Sequence, residues 1–167
     1  NHDGTLEIAV TGNTNEYMTR TGYVYMISLK SDGTYTFNSF LTSNWYVASP
    51  IASLGDMSGV TSIGDIDGEG VNDLALTMDS MRVGSVANGP GMILLATMKS
   101  DGTFKEYYRI AADTSGAPAF YNNSLNASSL RFLGDTNGDG SLELALGMPN
   151  DGGTATAKGS VYVLSLV

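Results

Sequence analysis

The sequence predicts an all-β protein built of antiparallel four-stranded units in a single repeat array. Three observations carry that expectation. Glycine occurs 21 times in 167 residues while only 15% of residues are charged, a composition that suits a turn-rich β protein better than a helical one. No segment sustains an apolar helical period. The chain also repeats itself: residues 64–76 (GDIDGEGVNDLAL) return as GDTNGDGSLELAL at 134–146, KSDGT at 30–34 recurs unchanged at 99–103, and Gly91 corresponds to Gly159, at intervals of 70, 69 and 68 residues.

Taken in order, residues 1–11 open on a shortened copy of the acidic motif, and 5–11 (TLEIAVT) leave it as a strand of β-type residues. A polar connection at 12–22 leads to YVYMISL at 23–29, whose aromatic and β-branched side chains suit a pleated surface. Asp32-Gly33 supplies the positive φ of a tight hairpin turn, and 35–41 (YTFNSFL) is the returning strand. An irregular stretch with Trp45, Tyr46 and Pro50 spans 42–58, and a short strand at 60–63 enters the central loop. The cycle then repeats. Strand 74–78 leaves the loop, and NGPG at 88–91 is too rich in Gly and Pro for a regular element. Strands at 92–98 and 104–111 flank the second Asp-Gly turn, 113–126 is irregular, 130–133 and 142–146 bracket the third loop, and 160–167 (SVYVLSLV) matches 23–30.

Lettering the strands A to D, with the acidic loop between A and B, gives B-C-D over 1–41, A-B-C-D over 59–111 and A-B-C over 128–167. Ten strands in such units read as blades of a partial β-propeller, two to three blades long, although the usual blade period of ~40 to 50 residues is shorter. Because the chain opens within a motif, it is expected to be cut from a longer polypeptide; since a closed propeller needs at least about four blades, the alternatives are assembly with copies of itself through open blade edges, or an open array with exposed strand edges.

The acidic motif carries chemistry. Counted from Asp65 as position one, side-chain oxygens recur at Asp65, Asp67, Glu69 and Asp73, with the Val71 carbonyl at position seven and Gly70 at the bend. The second complete copy offers Asp135, Asn137, Asp139, the Ser141 carbonyl and Glu143 around Gly140. The shortened first copy keeps Asn1, Asp3, the Thr5 carbonyl and Glu7 around Gly4. Calcium takes ~6 to 8 oxygen ligands in a flexible cage, and it tolerates the longer reach of Glu better than magnesium does. Two Ca2+ sites are therefore expected and a third, truncated one; the middle loop, with four carboxylates, ranks first and the loop at Asn1 last. An EF-hand would need Glu at position twelve, where Leu76 and Leu146 stand.

Nine of the 17 acidic residues lie in these loops, so three divalent cations would offset most of the net charge of −9. Eight scattered Lys and Arg residues make no basic stripe for nucleic acid. No run of ~18 apolar residues predicts membrane insertion in this segment. With no cysteine and the single His2 at a solvated loop position, the usual nucleophile–base pairs are missing, and the carboxylates are accounted for by repeated metal loops; no enzymatic activity is expected. Tyr35, Phe37, Phe40, Trp45 and Tyr46 read as core or loop fillers before a sugar-stacking platform, and the Asn122 and Asn126 glycosylation triplets as chance in an Asn/Ser-rich stretch.

The acidic loop between two strands, the Gly147-Met148-Pro149 that follows, and the strand GSVYVLSL together resemble FG-GAP repeats, the blades of integrin α-subunit propellers and of many bacterial surface proteins. The resemblance spans essentially the whole chain, although the name-giving Phe-Gly is replaced by Asp56-Met57 and Asn126-Ala127, and Gly-Ala-Pro by Thr77-Met78-Asp79 in the middle copy. It implies an integrin-like β-propeller whose loops hold structural calcium at the residues named above. It further implies an extracellular or cell-surface adhesion or recognition protein with a protein or glycan ligand. Such blades also occur as non-catalytic accessory propellers of secreted carbohydrate-active enzymes, which is the second reading.

Overall fold

The structure, a computed structural model, describes residues 4–16, 19–42, 57–78, 81–83, 86–89, 91–111, 129–149 and 159–166. The readings made for Asn1, His2, Asp3, Trp45, Tyr46, Pro50, Asn122 and Asn126 lie outside these residues. The described part is all-β. It contains no helix, and so none long and apolar enough to cross a membrane.

Among the described residues twelve strands form antiparallel sheets. The first sheet pairs β1 (Leu6–Glu16), β2 (Thr19–Leu29) and β3 (Tyr35–Thr42) in that order. After β4 (Met57–Ser62) and β5 (Leu74–Met78), a two-stranded ribbon of β6 (Met81–Val83) and β7 (Val86–Gly89) intervenes. The chain then returns as β8 (Met92–Met98) and β9 (Phe104–Ala111), so that the second sheet runs β4-β5-β8-β9. The third is β10 (Ser129–Gly134), β11 (Leu142–Met148) and β12 (Ser160–Leu166).

Two connections differ from the sequence reading. Residues 12–16 and 19–22 are ladder, since β1 and β2 stay in register from Leu6↔Leu29 to Glu16↔Thr19. Asn88 and Gly89 belong to β7 and not to a turn, with Met81 opposite Gly89. The cause is the same in both places. Ladder hydrogen bonds use backbone groups that every residue except proline carries in full, so polar residues and glycine pair once a partner strand lies alongside.

The two KSDGT turns are superposable in their bonding. In the first, the Gly33 amide donates to the Lys30 carbonyl (3.0 Å), the Lys30 amide to the Thr34 carbonyl (2.8 Å), and Asp32 Oδ1 accepts from both the Thr34 amide (2.9 Å) and hydroxyl (2.6 Å). Gly102, Lys99, Asp101 and Thr103 repeat every one of these bonds. The positive φ falls on Gly33 (82°) and Gly102 (79°), as a type I turn closed by a left-handed residue requires.

The sheets stack face to face with the second in the middle. Its strands β5 and β8 are buried along their whole length, which explains why LALTM and MILLATM read as apolar runs and not as alternating strands. Leu76, Met78, Met92, Leu94 and Ala96 pack with Val24 of the first sheet, and Leu74 and Met98 with Met26. The opposite face, Ala75, Ile93 and Leu95, packs with Leu130, Leu144, Leu146 and Met148 of the third. Fully burying one such side chain stabilises by about 1.5 to 3 kcal/mol.

Candidate metal centre

Each complete acidic loop joins the first strand of its sheet to the second: 63–73 between β4 and β5, and 135–141 between β10 and β11. Gly64, Gly68 and Gly70 hold φ of 75°, 79° and 83°, and Gly134, Gly138 and Gly140 hold 74°, 77° and 89°. Three left-handed residues in seven wind the backbone so tightly that its amides turn inward. Asp65 collects them: Oδ1 accepts from the Gly68 (2.8 Å) and Glu69 (3.0 Å) amides and Oδ2 from Gly70 (2.6 Å). Asp135 does the same with Gly138, Asp139 and Gly140 (2.6, 3.2 and 2.9 Å). The Gly70 amide, helped by those of Gly68 and Glu69, lowers the Asp65 carboxyl below its ordinary value, keeping it anionic.

Position nine anchors the loop to the rest of its sheet. Asp73 is fully buried; its Oδ2 accepts from the Ile66 amide inside the loop (2.8 Å), and its Oδ1 from the Met98 amide at the end of β8 (2.8 Å). The loop mouth is closed by Ile63 N–H to the Asp73 carbonyl (2.9 Å) and Asp73 N–H to the Gly64 carbonyl (2.7 Å). Burial raises the Asp73 carboxyl, and the neighbouring charges of Asp67 and Asp65 push the same way against its two amide partners. Glu143 is also buried, and its extra methylene carries it across to β12. Its Oε2 accepts from the Thr136 hydroxyl (2.7 Å) and amide (2.8 Å) and its Oε1 from the Ser165 hydroxyl (2.9 Å), bonds that lower its carboxyl, the Thr136 hydroxyl most of all. Glu7 on β1 lies opposite Ser28 in register, as Glu143 lies opposite Ser165.

The middle loop brings Asp65, Asp67 and Asp73 together, with one oxygen of each within 4.8 Å of the others. Among the described residues no other three acidic, His or Cys side chains converge in this way. Glu69 turns outward to Lys105 on β9, whose ammonium also meets Asp67 Oδ2 at 3.1 Å. Val71 buries its side chain beside Met26, Leu74 and Met98, fixing the loop to the core. In the other complete loop, Asn137 and Asp139 bond each other through Nδ2–H to Oδ2 (2.8 Å), while the Asp139 and Ser141 amides donate to Asn137 Oδ1 (3.0 Å) and Asp139 Oδ1 (2.7 Å). Thr5 is exposed just before β1.

The donor set fits a hard cation. Three converging carboxylates supply only oxygen, and one of them is a buried anion whose neighbours are also anionic. A divalent ion would relieve that repulsion, and carboxylate lone pairs not used by the amides remain for it. Sequence reasoning missed Lys105 and the Met98 amide, which come from strands 25 or more residues away; only the pairing of β8 with β5 and β9 brings them to the loop. No protein-family profile, curated protein or solved structure matches the chain.

Proposed function

We propose that this chain is a calcium-stabilised β-propeller segment of an extracellular or cell-surface protein of the FG-GAP type, non-enzymatic, with a role in adhesion or recognition of a protein or glycan. The observation that carries the metal reading is the buried Asp73 carboxylate facing Asp65 and Asp67 while tied to both Ile66 and Met98. An ion bound there joins a loop, the strand that follows it and the end of β8, so its role is architectural. Face-to-face stacking of sheets that carry equivalent loops supports the blade reading. Extracellular calcium modules work at ~10⁻⁴ to 10⁻³ M, which favours a location outside the cell.

Calcium that binds only the folded form adds RT ln(1 + [Ca²⁺]/Kd), roughly 1 to 3 kcal/mol per site at ion concentrations ~5 to 100 times Kd. Thermal melts in chelator and in millimolar calcium test this. The melting temperature is expected to rise with calcium in the wild type, and the rise is expected to fall in Asp73→Asn, which keeps one acceptor oxygen but not the charge. A wild-type melt indifferent to calcium refutes the structural-metal reading.

A further inference from the structure

The three sheets use one register. Val10 faces Tyr25 in the first, Leu76 faces Leu94 in the second and Leu146 faces Tyr162 in the third; Ile8↔Ile27, Leu74↔Ala96 and Leu144↔Leu164 follow as the next pairs. Each sheet therefore has two distinguishable faces. A leading face carries Ala9, Val24 and Met26 in the first sheet, Ala75, Ile93 and Leu95 in the second, and Ala145, Val161 and Val163 in the third. A trailing face carries the pairs just named.

Both interfaces inside the molecule join a leading face to the next trailing face. Val24 and Met26 pack on the trailing face of the second sheet, and Ile93 and Leu95 on that of the third. Among the described residues two faces are left over, one of each kind. The third sheet's leading face exposes Val161 (74%) and Val163 (61%). The first sheet's trailing face exposes Leu6, Ile8, Val10, Tyr35 and Phe37, with the Tyr23, Tyr25 and Phe37 rings in edge contact across it at 4.8 and 4.9 Å. Contiguous apolar surface of this kind marks an interaction site.

We infer that the third sheet of one copy stacks on the first sheet of a second copy, repeating between molecules the leading-to-trailing packing that already occurs twice within one. The argument is continuity. The exposed faces occupy the same repeat positions as the buried ones in the same register: Val161 and Val163 stand where Ile93 and Leu95 do, with exposed Arg131, opposite Ala145, at the side of that face. The contact uses sheet faces and leaves the hydrogen-bonding strand edges free. Because two different surfaces meet, it is heterologous: it closes into a ring if the rotation per copy divides a full turn and otherwise extends as a filament. The inference rests on packing alone and stands whether or not the loops bind calcium.

The test is sedimentation velocity on the 167-residue chain from about 1 μM to 1 mM, the range in which micromolar association is seen. Two double variants block one end each: Val161→Lys with Val163→Lys, and Ile8→Lys with Phe37→Lys. All four positions are exposed, so each variant is expected to keep the wild-type circular dichroism spectrum and melt. The wild type is expected to form dimers and larger species, each variant alone to remain monomeric, and an equimolar mixture to stop at a 1:1 dimer through the two unblocked faces. A wild type that stays monomeric throughout overturns the inference. So does a variant that still self-associates, which would mean like faces pair, and so does a mixture that does not recombine.

Discussion

Lys105 shows how a single residue tunes the acidic loop. Its ammonium sits against Asp67 and Glu69, and those two hydrogen bonds, Glu69 first, raise its pKa, so it stays cationic throughout the neutral range. A fixed positive charge at that point does part of what a metal ion would do and opposes the ion's arrival. Lys105→Met is therefore expected to tighten calcium binding by roughly 3- to 10-fold at low salt, with the gain shrinking as salt screens an exposed charge. Calorimetric titration at two ionic strengths checks this; equal affinities in wild type and variant would remove Lys105 from the site. Asp32 and Asp101 give a pH dependence of opposite character to a buried acid. The Thr34 and Thr103 hydroxyls, then the amides of the same residues, hold both carboxyls below the ordinary 3.8. A depressed folded-state pKa contributes stability above the unfolded value and loses it as pH falls through the folded one. The urea midpoint of the wild type is thus expected to exceed that of Asp32→Asn/Asp101→Asn at neutral pH, and the gap to close below about pH 3.8. A gap that persists in acid would assign the difference to shape and not to charge.

At the scale of one element, the hairpin turn at 30–34 isolates the conformational demand on a glycine. A Cβ on Gly33 would meet nothing within 4 Å, so Gly33→Ala tests φ alone. Its φ of 82° predicts a loss of about 1 to 2 kcal/mol for alanine, with Gly33→Asn losing less, measured by urea unfolding. Equal stability of all three would mean the turn does not hold that backbone in solution. Such turns were legible in the sequence because their cause is local: Asp, Gly and Thr within five residues satisfy one another. The strands leaving the loops were legible for a related reason, since β-branched and aromatic residues bounded by Asp and Gly leave little else to form. The ribbon of β6 and β7 was hidden, because Val86–Gly89 acquires its structure from Met81–Val83 opposite and not from its own composition. The same limit applied at the middle acidic loop. The alternate spacing singled out Asp65, Asp67 and Asp73, whose carboxylates converge, but the outward turn of Glu69 depends on Lys105, 36 residues on.

For the whole molecule, burial on both faces sets the middle sheet apart from its neighbours. The 69- and 70-residue periods made three equivalent sheets legible, yet nothing in the repeats ranked them, since YVYMISL, MILLATM and SVYVLSL differ little in apolar content. The ranking comes from position in the stack. Leu94 is 2% exposed with sheets on either side, whereas Val163, on a strand of the same kind, is 61% exposed. Leu94→Ala is accordingly expected to cost about 2 to 5 kcal/mol through lost contacts and the cavity left behind, and Val163→Ala to stay within about 0.5 kcal/mol. Native-state hydrogen exchange extends the argument from side chains to the backbone. Amides of β5 and β8 open only when both flanking sheets separate, so they are expected to exchange last, near the global unfolding rate, while β1 and β12, each bare on one face, exchange earlier. The measurement belongs at concentrations low enough to keep the chain monomeric, where no second copy shields the outer faces. Slowest exchange in β12 or β1 under those conditions would place the centre of the stack elsewhere and overturn the order of sheets described above.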